Sequence, residues 1–287
     1  MSVASAQRPD RSGAHPAAAP SAWGWATTLR AVVRQGLRDA RRAPLTWGGS
    51  LGVMSALIAA LYPSIQKALS DAVRSYPSGL KDAFGIGQLD TLEAYLHAEM
   101  FSMIVPIAVA VFAIRCASAP IAAAEERGYL ATVLAAPLSR RVLVAGAFLT
   151  TALATPAVLV VCGALTLATA ALTGQDLSVG HLAAALAGVW ALAVFFAGSA
   201  VLAAGHAHRA APVTAFSVGL LVVMYLLDVV GKLADSVGWL RSLSAFRYYG
   251  EPLLHGLSVA DSAGLVLVGT LLAALGALAF ERRDAFG

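Results

Sequence analysis

Six long apolar stretches set the strongest limit on the fold of this chain. A helix needs roughly 20 apolar residues to cross the hydrocarbon core of a bilayer. Six stretches meet this need, and none shows the alternation of a strand: about 45–62, 98–118, 142–172, 180–204, 211–230 and 263–280. Hydrophobic residues make up 59% of the chain, against about 45 to 50% in soluble domains. The sequence therefore predicts an all-α integral membrane protein with six transmembrane helices.

The third stretch is longer than one crossing requires. As a helix, residues 142–172 would extend about 46 Å, whereas the hydrocarbon core is about 30 Å thick. We expect this helix to tilt, protrude or kink, and Pro156 is the expected position of a kink because proline removes a backbone hydrogen bond.

The distribution of Lys and Arg predicts the orientation of the chain. Six crossings place both termini on one side, and that side carries 14 of the 20 basic residues. We therefore expect both termini to be cytoplasmic. The net charge of +4 reflects this topology, and nothing in the sequence indicates a nucleic-acid partner.

The N-terminal region divides into two parts. Residues 1–22 are rich in Ala, Pro and Ser, which predicts a disordered tail before the six-span region at 44–287. Residues 23–43 carry apolar positions at helical spacing on one face. The other face is basic, with Arg30, Arg34, Arg38 and Arg41. This pattern predicts an amphipathic helix in the headgroup layer of the lipid membrane; the alternative is a solvated helix packed on a soluble partner.

Two loops on the side opposite the termini are long enough to hold structure, at 63–97 and 231–262. The first has apolar residues at helical spacing around a "YPSG" turn, which predicts short helices on the outer surface. The second contains "GWLRSLSAFRYYGEPLLHGL", an aromatic and basic run typical of an anchor at the membrane interface.

The motifs of several enzyme and metal sites are absent or incomplete. The phosphate-binding pattern GxxxxGK[ST] does not occur, so ATP-driven transport would need the ATPase on another chain. Glu125 and Glu126 lack the spacing to Arg and His that an intramembrane protease of the EExxxR type would need. His206 and His208 share one short loop, which is a weak metal signal because metal ligands converge from several directions. We expect no catalytic residue, metal site or cofactor on this chain, and a helix ion pair between Asp228 and Lys232.

The connector between spans two and three is the most structured of the loops. It reads "IAAAEERGYLATVLAAPLSRRV" over residues 121–142, with two acids, an apolar edge and a closing proline. Gly128 permits a bend, and Pro137 ends a short helix before the third span. From the residues alone, this segment is either a plain helical connector or a docking element.

The segment "EERGYLATVLAAPLSRRVLVAG" resembles the hallmark of ATP-binding-cassette (ABC) type-2 permeases, in which an E-E-R-G-T-L-like run, a short helix and a P-x-S-R-R turn follow span two. Tyr129 stands where the family usually has Thr. The interfacial helix, the six spans, "LSAFRYYGEPLLHGL" and the terminal "FERRDAFG" extend the resemblance over most of the chain after residue 25.

The resemblance implies the permease subunit of an exporter in the bacterial plasma membrane. A cytoplasmic ATPase dimer would supply ATP and Mg, and a second permease copy or homologue would complete the pathway. The short cytoplasmic helix between spans two and three would be the coupling element. Its implied ATPase-coupling residues are Glu125, Glu126, Arg127, Gly128, Leu130, Val133 and Leu134.

The spans are mostly Ala, Leu, Val and Gly, which favours a small apolar or amphipathic substrate such as a drug, antibiotic or lipid-like molecule. Glycines of span one, including Gly48, Gly49 and Gly52, could pack against the second permease. Two alternatives remain open at this point: a membrane scaffold or sensor without transport activity, and an intramembrane protease.

Overall fold

The computed structural model describes residues 24–75, 91–123, 126, 139–207, 209–233 and 235–282. The predicted disordered tail, 1–22, lies outside these ranges. Within them the structure is helical, without a β-strand. The α-helices are α1 Trp25–Asp39, α2 Gly49–Ser75, α3 Leu92–Leu96, α4 Ile104–Ser118, α5 Arg140–Leu172, α6 Val179–His206, α7 Ala210–Leu233, α8 Ala245–Tyr249, α9 Pro252–His255 and α10 Val259–Arg282. Shorter 3-10 or π-helical turns are Ala40–Arg42, Pro44–Gly48, His97–Phe101, Ala119–Ala123 and Asp235–Leu243.

Six helical runs are long and apolar enough to cross a membrane, so the predicted all-helical fold and number of spans are confirmed. The runs are Trp25–Ile65, Ile104–Ala122, Arg140–Leu172, Val179–His206, Ala210–Leu233 and Val259–Arg282.

Two of these runs begin elsewhere than the sequence pattern indicated. The first starts at Trp25, because α1 joins α2 through short 3-10 and π-helical turns without leaving helical geometry. The second starts at Ile104 and not near residue 98. Met103 has φ −141° and ψ −58°, outside helical values, and it separates the turn His97–Phe101 from α4. The apolar pattern alone did not mark this break.

Helix α5 is the axis against which the first helices pack. It continues through Pro156 as one helix of 33 residues, about 50 Å long, so the predicted excess over a single crossing is confirmed. Val32 of α1 lies against Gly146, and Gly36 lies against Thr150. Further along, the Thr166 hydroxyl donates a hydrogen bond of 2.8 Å to the Ser55 hydroxyl. The residue numbers rise together on both sides of these contacts, so α1 and α2 run parallel to α5.

The glycines of span one contribute chiefly to this internal packing. A side chain on Gly48 would meet the backbone of Val158, and one on Gly52 would meet Leu165. These two positions are therefore occupied within the chain, and the expectation that they face a second permease is wrong for them. Gly49 has open space around it, so it alone of the three can still face a partner.

Helix α6 lies at the centre of the bundle. In its most apolar window 78% of the residues are buried, against 22% for α7 and 28% for α10. Gly198 and Gly205 of α6 lie directly against Gly269 and Gly276 of α10. Any side chain at these four positions would meet the facing backbone, so glycine is what lets the two parallel helices approach so closely.

The segment between spans five and six folds into the bundle. Phe246 and Tyr249 of α8 are buried, and the Tyr249 hydroxyl donates a hydrogen bond of 2.9 Å to the Phe101 carbonyl. Pro252 and Leu253 of α9 are buried too. The interpretation as an interface anchor is therefore wrong for the buried part of α8 and for α9, because Phe246 and Tyr249 fill space between spans. The anchor stays a prediction for two exposed aromatic residues of the run, Trp239 and Tyr248.

Candidate coupling site

The predicted coupling segment follows span two, and the structure describes one of its residues. Glu126 is exposed and lies shortly after the π-helical turn Ala119–Ala123, in which Ile121 and Ala122 are fully buried. The remaining candidates lie outside the described residues, as does the predicted short coupling helix: Glu125, Arg127, Gly128, Leu130, Val133 and Leu134.

Glu126 connects span two to span five. Its carboxylate Oε2 accepts a hydrogen bond of 3.1 Å from the backbone N–H of Ala210, the first residue of α7. The first N–H groups of a helix have no partner inside the helix, and the helix dipole favours a negative charge there. The Glu126 carboxylate therefore meets both needs of α7 from a position 84 residues earlier in the chain.

Two consecutive arginines connect span three to span six in the same region. Arg141 donates a hydrogen bond of 2.6 Å from Nε to the Glu281 carboxylate, and the Arg140 guanidinium lies 5.9 Å from the centroid of the Phe280 ring. The Ser139 hydroxyl caps α5 by accepting the Val142 N–H. The "SRR" that opens span three thus contacts the "FE" that closes span six.

These contacts define one end of the bundle, which we call the terminus-side end: Glu126, Arg140, Arg141, Ala210, Phe280 and Glu281. It brings together the exit of span two, the starts of spans three and five, and the close of span six. The Arg141 and Glu281 side chains are 61% and 41% exposed, so their ion pair adds little stability, typically 0 to about 1 kcal/mol. At this end of the bundle, Glu126 links span two to span five, and the two arginines link span three to span six.

The predicted basic face of the N-terminal helix is exposed throughout, at Arg30, Arg34, Arg38 and Arg41. The opposite face of α1 packs on α5, and between α1, α4 and α5 lies a cavity of about 810 Å³. Its lining is mostly apolar, with Asp39 and Arg115 as its charged members among the described residues. That α1 is a helix is confirmed; its placement in the headgroup layer stays a prediction.

The predicted ion pair of span five is present and is larger than the sequence indicated. Asp228 is buried, with 5% of its surface exposed, and its carboxylate lies 3.0 Å from Lys232 Nζ. Arg241, from the turn Asp235–Leu243, donates to the other carboxylate oxygen over 3.2 Å. Gly231 makes room for the Arg241 side chain, because a Cβ there would meet its Cγ atom. The spacing of residues along α7 could not predict the contact with Arg241, because Arg241 lies in the turn that follows the helix.

A second helix-capping carboxylate was missed in the sequence. Glu93 accepts the backbone N–H of Ser178 over 2.9 Å and lies 3.3 Å from Nδ1 of His181, at the start of α6. The stretch Thr91–Leu92–Glu93 offered a signal, since Thr91 caps α3 and an acid follows in the first turn. The sequence could not show that Glu93 also accepts a hydrogen bond at the start of α6, 85 residues later in the chain.

Two groups at the end of the bundle opposite the terminus-side end, Tyr249 and His97, have shifted pKa values because they are buried. Burial raises the pKa of the Tyr249 phenol. Burial lowers the pKa of His97, and the nearby Glu251 carboxylate offsets part of that shift. The His97 Nδ1 atom has no hydrogen-bond partner among the described residues.

Metal binding finds no support in the part of the chain that the structure describes, which contains no group of three or more His, Cys, Asp or Glu residues able to hold an ion. His206 is exposed, with Nδ1 2.9 Å from the Leu202 carbonyl, and His208 lies outside the described residues.

Comparison with known proteins identifies the family. Residues 29–281 match the family described as multidrug efflux system permease Rv1217c, C-terminal domain. A search of curated proteins found no match. The family match spans all six membrane-crossing runs except the first turn of α1 and the last residue of α10. The resemblance to exporter permeases is thereby confirmed, and the chain is a multi-pass transport permease that belongs to the Rv1217c multidrug efflux permease family.

Proposed function

We propose that this chain is the membrane permease subunit of an ABC-type exporter that moves a small apolar or amphipathic molecule outward. A separate cytoplasmic ATPase dimer, with its own ATP and Mg, supplies the energy. A second permease copy or homologue completes the pathway. The family match supports the transport role, and the absence of a phosphate-binding loop in the sequence supports a separate ATPase.

The observation that carries the proposal is the hydrogen bond between Glu126 and the N-terminus of α7. Glu126 stands inside the "EERG" segment that the resemblance assigns to ATPase coupling. A displacement of this segment by the ATPase would act directly on span five, because the Glu126 carboxylate holds the first turn of α7.

The packing of α7 suits an element that moves. In its most apolar window only 22% of the residues are buried, the lowest share of the six spans. Phe216, Val223 and Leu226 are each about half exposed. Compared with the other spans, α7 therefore has fewer contacts within this chain that a shift would have to break. We infer that motion enters at Glu126 and is passed to α7.

The composition of the same segment suits docking to a partner. Leu130, Val133 and Leu134 form an apolar edge in the sequence next to the charged Glu125, Glu126 and Arg127. An apolar centre with a charged rim is the composition of a protein interface. The Glu126 contact with α7 leaves the apolar edge as the part that binds the ATPase.

One cavity in the bundle supports an apolar or amphipathic substrate. The cavity between α1, α4 and α5 is lined mostly by apolar side chains, with charge confined to Asp39 and Arg115 among its described residues. Pockets of this kind bind ligands with a large apolar surface and few polar groups. An amphipathic substrate fits this lining better than a hydrated ion.

The test is reconstitution. The chain is co-expressed with a candidate ABC ATPase subunit, identified by its phosphate-binding loop, and ATP-driven uptake of a lipophilic fluorescent dye is measured in inside-out membrane vesicles. We expect uptake only when both subunits are present and the ATPase is able to hydrolyse ATP. Uptake by vesicles that contain the ATPase alone, or ATP-independent uptake by the chain alone, would contradict the proposal.

A further inference from the structure

A second cavity lies in the half of the bundle away from the terminus-side end. It has a volume of about 370 Å³ and is bounded by α6, α7, α10 and the start of α8. That volume is within the range of small-molecule sites, about 300 to 1,000 Å³. Phe195 contributes from α6, Met224 from α7 and Val268 from α10.

One charge faces this cavity. Asp261, in the first turn of α10, is the one charged side chain among its described lining residues, and it is half-buried. Its carboxylate has no ion-pair partner within the described part of the chain, unlike Asp228, which binds Lys232 and Arg241. An acid in a first turn stabilises its helix through the dipole. That role does not require a cavity beside the carboxylate, so the cavity needs a separate explanation.

The other polar groups of the cavity are already paired. The Ser244 hydroxyl donates a hydrogen bond of 2.6 Å to the Met224 carbonyl. The Tyr248 hydroxyl donates one of 3.1 Å to the Ser242 carbonyl. These bonds fix the walls and leave the Asp261 carboxylate as the group available to a ligand.

The shape of the cavity limits the ligand. Asp261 and Val268 are seven residues apart on α10, which is about 10 Å along the helix axis. The cavity therefore runs from a carboxylate at one end to apolar side chains at the other. The rings of Phe195 and Tyr248 line it as well, and aromatic faces attract cations. A rigid apolar body about 10 Å long with one positive charge matches this arrangement.

We propose that this cavity binds a small lipophilic monocation, with the cationic group at Asp261 and the apolar body between Phe195 and Val268. That the bound ligand is also a transported substrate rests on the proposed function. Binding itself stands on the cavity and its one unpaired carboxylate.

The experiment measures binding without the ATPase. The full chain is placed in phosphatidylcholine nanodiscs and titrated with (biphenyl-4-ylmethyl)trimethylammonium, and in parallel with biphenyl-4-ylmethanesulfonate, which has the same apolar body and the opposite charge at its end. We expect saturable binding of the cation and none of the anion. Asp261→Asn should weaken binding of the cation at least about tenfold, equivalent to about 1.4 kcal/mol.

Two further variants guard against misfolding and unspecific charge effects. A Cβ on Gly264 would meet open space in the cavity, so Gly264→Leu should fill the site and reduce binding while Asp261 stays in place. Asp176→Asn removes an exposed carboxylate on the loop that precedes α6 and should leave binding unchanged.

Three results obtained in phosphatidylcholine alone would overturn the inference: equal binding by Asp261→Asn and the wild type, saturable binding of the sulfonate, or full binding by Gly264→Leu. Loss of cation binding when phosphatidylethanolamine replaces part of the phosphatidylcholine would show that a lipid amine occupies the cavity, which also overturns it. The binding experiment uses no ATP and no ATPase. A negative result there would not affect the proposed function, and a negative result in the vesicle uptake experiment would not affect the proposed binding site.

Discussion

The Glu126 carboxylate accepts the backbone N–H of Ala210 over 3.1 Å, so the segment after span two holds the first turn of span five. Glu93 does the same for the start of α6, where it accepts the Ser178 N–H. Span two is therefore flanked by two acids, each of which caps a different later span at opposite ends of the bundle. A displacement of either flank acts on a neighbouring helix without passing through the packed core.

The apolar edge of the coupling segment is expected to bind the ATPase. Leu130→Ala with Val133→Ala should lower retention of the ATPase on the detergent-solubilised permease, because removal of an interface hot spot costs at least about 2 kcal/mol, roughly thirtyfold in affinity. The matched control is Leu153→Ala with Val160→Ala, two exposed residues of α5. Equal retention by both double variants would show that this segment does not dock the ATPase.

The close approach of α6 and α10 predicts a large effect from one methyl group. Gly198→Ala places a Cβ against the Gly269 backbone, and overpacking of this kind typically costs about 1 to 3 kcal/mol. Thermal unfolding in detergent should show a lower midpoint. Gly219→Ala is the control, because a Cβ there meets open space and alanine favours a helix by up to about 1 kcal/mol. A midpoint for Gly198→Ala at or above that of Gly219→Ala would contradict this account of the packing.

Burial of His97 predicts a loss of stability in acid. Burial lowers its pKa in the folded state, with Glu251 opposing and Lys232 and His255 adding to the shift. As the pH falls, His97 binds its proton in the unfolded chain before it does so in the folded chain. The free energy of unfolding is therefore highest above the ordinary pKa of about 6.5, and it decreases as the pH falls below that value. His97→Gln should remove this part of the pH dependence, which amounts to at most about 1.4 kcal/mol per pH unit. Parallel stability curves for wild type and variant between pH 7.5 and 5 would argue against it.

The orientation is testable with reporters. An alkaline phosphatase fusion after residue 287 should be inactive, and one at Asp176 should be active, because the basic residues divide fourteen to six in favour of the terminus side. The opposite pattern would place the termini outside, and the ATPase could not then reach the coupling segment.

Much of the fold could be read from the sequence because the bilayer requires it. Long apolar stretches predict the six spans, since a helix in lipid must satisfy its own backbone. Individual packing contacts could not be predicted this way. Gly48 and Gly198 have similar small-residue surroundings in the sequence, and only the structure shows that they face α5 and α10 respectively. The inward fold of Tyr249 depends on the Phe101 carbonyl, which is 148 residues away.

The sequence identified the motifs of the candidate site, but it did not show which of their residues contact each other. The resemblance singled out Glu126, Arg140 and Arg141 before span three and the "FERR" run at the end of span six. Nothing in their spacing showed that Arg141 would bind Glu281, or that Glu126 would cap α7. Such pairs depend on how the spans are arranged around each other, which hydropathy does not specify.

We propose that Glu126 passes motion from the coupling segment after span two to span five. The direct measurement is ATP-driven dye uptake by Glu126→Ala vesicles, divided by the amount of ATPase retained on the permease. Because Glu126 faces α7, retention should match the wild type, while uptake per retained ATPase should fall at least about fivefold, the lower end of typical coupling energies of 1 to 3 kcal/mol. Asp176→Ala, an exposed acid remote from the terminus-side end, should change neither quantity. Wild-type uptake per retained ATPase in Glu126→Ala would contradict the account.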